Sequence, residues 1–128
     1  MQKEFVEYEL ALKMKELGFD EPCFGYYNMK KKFNMGDYTT KHWKSTCLAP
    51  LYQSAFKWFR EKYKLQHHIW SGKINSIFYG YDILNIEEQE FVVNNSDIGG
   101  GDCDYYTYEE AELVCLEKLL EIVESKKE

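Results

Sequence analysis

The stretch Ala49–Leu65, APLYQSAFKWFREKYKL, constrains this chain more than any other. At about 100° per residue, Leu51, Tyr52, Ala55, Phe56, Trp58, Phe59 and Tyr63 fall on one arc of roughly 160°. Gln53, Ser54, Lys57, Arg60, Glu61 and Lys64 fill the remainder. Lys62 alone intrudes on the apolar arc, where its stem can lie over apolar surface with the ammonium in water. Pro50 suits a first helical turn, since its missing N–H has no intrahelical partner there. A face this aromatic needs a broad partner, and a β-sheet supplies one.

The flanks indicate where that sheet comes from. Residues 4–17 predict a first helix, with Val6, Leu10, Met14 and Leu17 in a narrow stripe. Gly18 fits the position after its end, and Phe19 the hydrophobic contact that follows. Cys23–Asn28 reads as a strand, Lys30–Lys32 as a solvated turn and Phe33–Met35 as a short return strand. Residues 36–48 show no period, but they hold Tyr38, His42 and Trp43, which marks a packed loop. Gln66–Ser71, Gly72-Lys73 and Ile74–Ile83 read as a hairpin. On its second run Ile77, Tyr79, Tyr81 and Ile83 share the expected core face, and Phe78, Gly80 and Asp82 the other. Glu90–Val93 is a further possible strand and Asn94–Asp104 a loop by composition. Thr107 and Glu110 form a capping box for a last helix, whose apolar arc runs from Ala111 to Val123. The reading is one α+β domain over residues 1–128, in the order α-β-β-α-β-β-(β)-α. A small antiparallel sheet packs against two or three helices.

Charge narrows the partners. Formal net charge is −6, from 22 acidic and 16 basic residues, so no basic stripe is available for a nucleic acid backbone or an anionic membrane surface. The helix–hairpin–helix order of residues 50–125 is similar to that of double-stranded-RNA-binding domains, but the last helix is basic only at its tip. No apolar run reaches membrane-spanning length, and the N-terminus lacks a signal-peptide apolar region. A cytoplasmic protein is expected. Cys23, Cys47, Cys103 and Cys115 have no C-x-x-C spacing and are expected to be reduced there.

The chemistry-bearing patterns are weak. Gly99-Gly100-Gly101 precedes a helix, but no Lys-Ser/Thr follows and Asp97, Asp102 and Asp104 would repel phosphate. The same carboxylates, with Glu109 and Glu110, lack the ligand spacing of a calcium loop. Adjacent His67 and His68 point to opposite faces of a strand and cannot share one ion. His42 with Cys47 is a conceivable nucleophile–base pair that nothing else in the sequence marks. No cofactor, metal or catalytic residue is assigned. The aromatic content of 17% exceeds what one small core hides, and exposed aromatics mark protein interfaces. Tyr26, Trp43, Trp70, Tyr105 and Tyr106 are the expected binding surface, for a protein partner or for self-association.

Four segments also carry a resemblance: LALKMKELGFDEPC at 10–23, LAPLYQSAFKWFREKYKL at 48–65, the hairpin after it, and TYEEAELVCLEKLLEIV at 107–123. Together they resemble a family of small uncharacterised proteins from the genomes of gut bacteria and their phages. The most specific part is the APLYQ-x-x-F-x-WFREK core, Ala49–Lys62. The resemblance implies a phage or mobile-element setting and a cytosolic product. The family has no established activity, so no site residue is carried over. Two functions follow as expectations. The first is a non-catalytic protein acting through protein–protein interaction. The second is a small enzyme or enzyme inhibitor with a site between the 36–48 and 94–106 loops.

Overall fold

A computed structural model describes residues 2–38, 47–94 and 105–126. The α+β class is borne out, with helices and antiparallel three-stranded sheets in the order α-β-β-β-α-β-β-β-α. The chain divides into two compact units, Met1–Ala55 and Phe56–Glu128.

In the first unit, helix α1 (Tyr8–Glu16) precedes strands β1 (Cys23–Tyr27), β2 (Phe33–Tyr38) and β3 (Cys47–Ala49). β1 is the central strand, antiparallel to both neighbours. The helix expected from residue 4 starts at Tyr8 instead. Adjacent Phe5 and Val6 are both buried: Phe5 makes a bridge to Leu51, and the Val6 N–H donates to the Pro50 carbonyl at 2.8 Å. Neighbouring residues of a helix diverge by about 100°, so extended backbone suits that double burial better. The helix end matches its sequence signal. Gly18 has φ 99°, its N–H donates to Lys15, and the Phe19 N–H donates to Met14. This is the two-bond motif of a left-handed helix terminus.

The Lys30–Lys32 turn is held from Asn28, whose Oδ1 accepts the N–H groups of Lys30 at 2.9 Å and Lys32 at 3.0 Å. Gly25 lets two rings close on β1. A Cβ there would lie 2.8 Å from Phe5 Cδ1 and 2.9 Å from Phe33 Cε1. The Tyr27 hydroxyl donates to the Val6 carbonyl at 3.0 Å, tying the sheet to the N-terminal segment.

Strand β3 has no counterpart in the sequence reading, and it shortens the aromatic helix. Leu48 and Ala49 pair with Tyr26 and Gly25, and the Pro50 carbonyl is taken by Val6. Helix α2 therefore runs Tyr52–Tyr63, with the Ala55 N–H donating to the Leu51 carbonyl. Of the expected apolar arc, Ala55, Phe56, Trp58 and Phe59 are buried, Tyr52 and Tyr63 are half-buried, and Leu51 is exposed ahead of the helix. The intruding Lys62 is accommodated by cation–π contact, with Nζ 5.0 Å from the Trp58 ring centre and 5.5 Å from that of Tyr63.

The second unit carries β4 (Leu65–Ile74), β5 (Ser76–Asn85), β6 (Glu90–Asn94) and helix α3 (Tyr108–Lys126), in sheet order β4-β5-β6. The hairpin is present, but it turns at Asn75, φ 67°, and not at Gly72-Lys73. Gly72 lies inside β4, opposite Phe78. Helix α3 packs on β5 and β4, and the Thr107 half of the expected capping box is present: the Thr107 hydroxyl accepts the Glu110 N–H at 3.1 Å. Among the described residues no helix is long and apolar enough to cross a membrane.

Candidate functional site

The β4–β5 register fixes two faces with different roles. Odd-numbered side chains form the core side. Leu65, Tyr81 and Ile83 are buried, and Tyr79 meets Tyr108 of α3 edge to face at 6.0 Å. His67 stacks on Phe56 of α2, ring centres 3.8 Å apart and planes 9° apart. Burial there, with Arg60 and His68 nearby, pulls the His67 pKa down to about 4. Its Nδ1 is buried without a hydrogen-bond partner among the described residues. Ile77, expected in this core, is 57% exposed because it sits at the hairpin end.

The even-numbered face is a half-exposed aromatic surface built on two glycines. Gly80 lies opposite Trp70 and Gly72 opposite Phe78. With no side chain beneath them, the indole lies over Gly80 and the Phe78 ring over Gly72. The two rings meet edge to face at 5.8 Å and 87°. Leu84 continues this face along β5 and pairs with Phe91 of β6, which is 54% exposed.

Beside the rings, Gln66, His67, His68, Asp82, Leu84 and Phe91 line a depression of about 230 Å³. His68 Nδ1 lies 3.7 Å from Asp82 Oδ2, with the His68 side chain 68% exposed and that of Asp82 4% exposed. The register sets the pair directly across from each other. The lining holds no hydroxyl, thiol or amine to act as nucleophile. Among the described residues no group of three or more His, Cys, Asp or Glu side chains is placed to hold a metal ion.

Within the second unit the expected site residues do not share one face. Trp70 is on the aromatic face. Tyr105 pairs through its backbone with Tyr79, and its ring lies 6.5 Å from Tyr81, on the opposite side of the sheet from Trp70. Tyr106 is 78% exposed just before α3. Tyr26, half-buried on β1, belongs to the first unit and shares a face with exposed Phe24. Trp43 lies outside the described residues, as do His42, Cys103, the glycine loop and most of the two loops considered for an enzyme site. Cys23, Cys47 and Cys115 are free thiols. Burial raises the Cys47 pKa to about 11, and burial with Glu21 beside it raises that of Cys23 to about 12, so neither is an activated nucleophile.

Sequence reasoning missed Phe78, Leu84, Phe91 and the His68–Asp82 pair. The available signal was the spacing of Gly72 and Gly80 against Phe78 and Trp70, which becomes visible once the turn is set at Asn75. No protein-family model matches this chain, and no curated protein or solved structure matches it.

Proposed function

We propose that this chain is a non-catalytic interaction module that binds another protein through the aromatic face of the β4-β5-β6 sheet. One observation carries this reading. Trp70, Phe78, Leu84 and Phe91 share one face, and each keeps part of its surface in water. Two apolar pairs, Trp70 with Phe78 and Leu84 with Phe91, flank the His68–Asp82 pair, a mixture of aromatic anchors and a central polar contact of the kind interfaces use. The setting is a cytoplasmic one, in a phage or mobile element, as the family resemblance implies. A net charge of −6 on the chain disfavours nucleic acid as the partner.

A photo-cross-linking amino acid placed at Phe91, with a control at exposed Glu124 of α3, tests the reading in host lysate. The expected result is one adduct specific to position 91 that disappears when Phe78 and Trp70 are both changed to Ser in a folded protein. Equal labelling from both positions, or none from 91, refutes it.

A further inference from the structure

Among the described residues β4 is an edge strand, and the hydrogen-bonding pattern of its outer side can be read from its neighbour. The Tyr79 N–H donates to the Tyr105 carbonyl at 2.7 Å, and the Tyr105 N–H returns to Tyr79 at 2.9 Å. Both polar groups of Tyr79 therefore point away from β4. Backbone groups alternate along a strand, so Phe78, Gly80, Asp82 and Leu84 point towards β4. Their partners are Gly72, Trp70, His68 and Gln66. The remaining residues, His67, Ile69, Ser71 and Lys73, then direct N–H and C=O outwards. Among the described residues, those outward groups meet no backbone partner.

Such an edge is usually protected by a proline, a bulge, short length or several charges. β4 has none of these. It is 10 residues long, its register with β5 is unbroken, it lacks proline, and its one fixed charge is Lys73. The indole of Trp70 leans inwards over Gly80 and does not cover the edge.

We propose that β4 pairs antiparallel with β4 of a second copy of this chain, joining two three-stranded sheets into one. The strand is self-complementary. A two-fold axis at Ile69 places Ile69 opposite its own copy, His67 opposite Ser71, and Lys73 opposite Leu65. Each of these is an odd–odd pairing that exchanges outward hydrogen bonds. No like charges meet, because β4 carries no acid and Lys73 faces leucine. On the aromatic face Trp70 lands beside His68 of the second copy. This goes beyond the proposed function, since it uses the edge of the sheet and leaves its face open. Two chains of charge −6 repel, so salt should tighten the pairing, the reverse of nucleic acid binding.

Sedimentation equilibrium of the full chain from about 1 to 100 µM, read with amide hydrogen exchange, tests the pairing. The expected result is a monomer–dimer equilibrium. The amides of His67, Ile69, Ser71 and Lys73 gain protection with concentration, while those of His68, Trp70 and Gly72 are protected throughout. Ser71→Pro removes one outward donor and no ladder bond, and should weaken the dimer at least about tenfold. A monomer at every concentration overturns the proposal. So does a dimer whose odd-numbered amides stay unprotected, or an unchanged dimer of folded Ser71→Pro. If that variant fails to fold, wild-type exchange decides alone. Odd-numbered amides protected only on adding a different protein would also overturn it, in favour of a foreign strand.

Discussion

Gly80→Ala isolates what the glycine does for the aromatic face. Ideal Cβ geometry at residue 80 places the new carbon against Trp70 Cζ2 and 2.7 Å from both Cε2 and Cη2. Carbon atoms settle at about 3.5–4.0 Å, so the indole must move by about 1 Å or more. The Phe78 edge at 5.8 Å limits movement along the sheet, which leaves displacement towards solvent. Overpacking of this kind costs about 1–3 kcal/mol, and loss of the ring pair adds about 0.5–1.5 kcal/mol. The backbone works in the other direction. Gly80 has no positive φ, so alanine fits its conformation and should stabilise the strand by about 0.5–1 kcal/mol. The net expectation is a loss of about 1–2 kcal/mol. In a Trp70→Ala background the clash is absent and the same substitution should stabilise. Urea unfolding followed by far-UV circular dichroism gives all four corners of this double-mutant cycle, with an expected coupling of about 2 kcal/mol. An equal effect of Gly80→Ala in both backgrounds would show that the indole does not rest on Gly80, and the construction of the face would fall with it.

Phe59, fully buried on α2, should cost about 3–5 kcal/mol in urea unfolding when changed to Ala; a loss within error would remove α2 from the core. Thr107→Ala should cost about 1 kcal/mol by thermal or urea unfolding, through loss of the bond to the Glu110 N–H. His67 takes up its proton at about 4 when folded and near 6.5 when unfolded, so its contribution is complete above 6.5 and is lost as pH falls towards 4. The full difference corresponds to about 3 kcal/mol, reduced to about 1–2 kcal/mol for a partly exposed ring; His67→Phe should flatten this slope in unfolding measured at several pH values. Gel shifts at micromolar protein and physiological salt should show no DNA or RNA binding; a complex abolished by added salt would contradict the charge argument.

What the sequence showed depended on whether a signal was local. The α2 face and the α3 cap were legible because periodicity and capping act within one helix. The start of α2 was not, because Ala49 and Pro50 are held by partners more than twenty residues away, on β1 and at Val6. β3, at three residues, is too short to carry a period. The hairpin was legible as two β-rich runs, yet its turn was misplaced because glycine has two uses. Gly72 signals a turn in the sequence, whereas in the fold its lack of a side chain makes room for the Phe78 ring. Asn75 takes the positive φ that the turn needs. That shift in the turn also hid the site. Trp70 could be named as an exposed aromatic, but its neighbours on the face follow only from the register.

The His68–Asp82 pair is the one feature of this face that could argue for catalysis, and its exposure argues the other way. A general base gains from a site that excludes water and holds a substrate against it. Here the imidazole is 68% exposed, and the depression of about 230 Å³ is smaller than the range of about 300–1,000 Å³ usual for small-molecule sites. The carboxylate, at 4% exposure, is already out of water, so the cost of its burial was met on folding. A protein surface laid over Leu84 and Phe91 would remove the imidazole from water as well. Burial beside the Asp82 carboxylate would then disfavour partners that bring a second carboxylate to it. In the proposed interface this pair, set between Trp70 with Phe78 and Leu84 with Phe91, would act as a selectivity element.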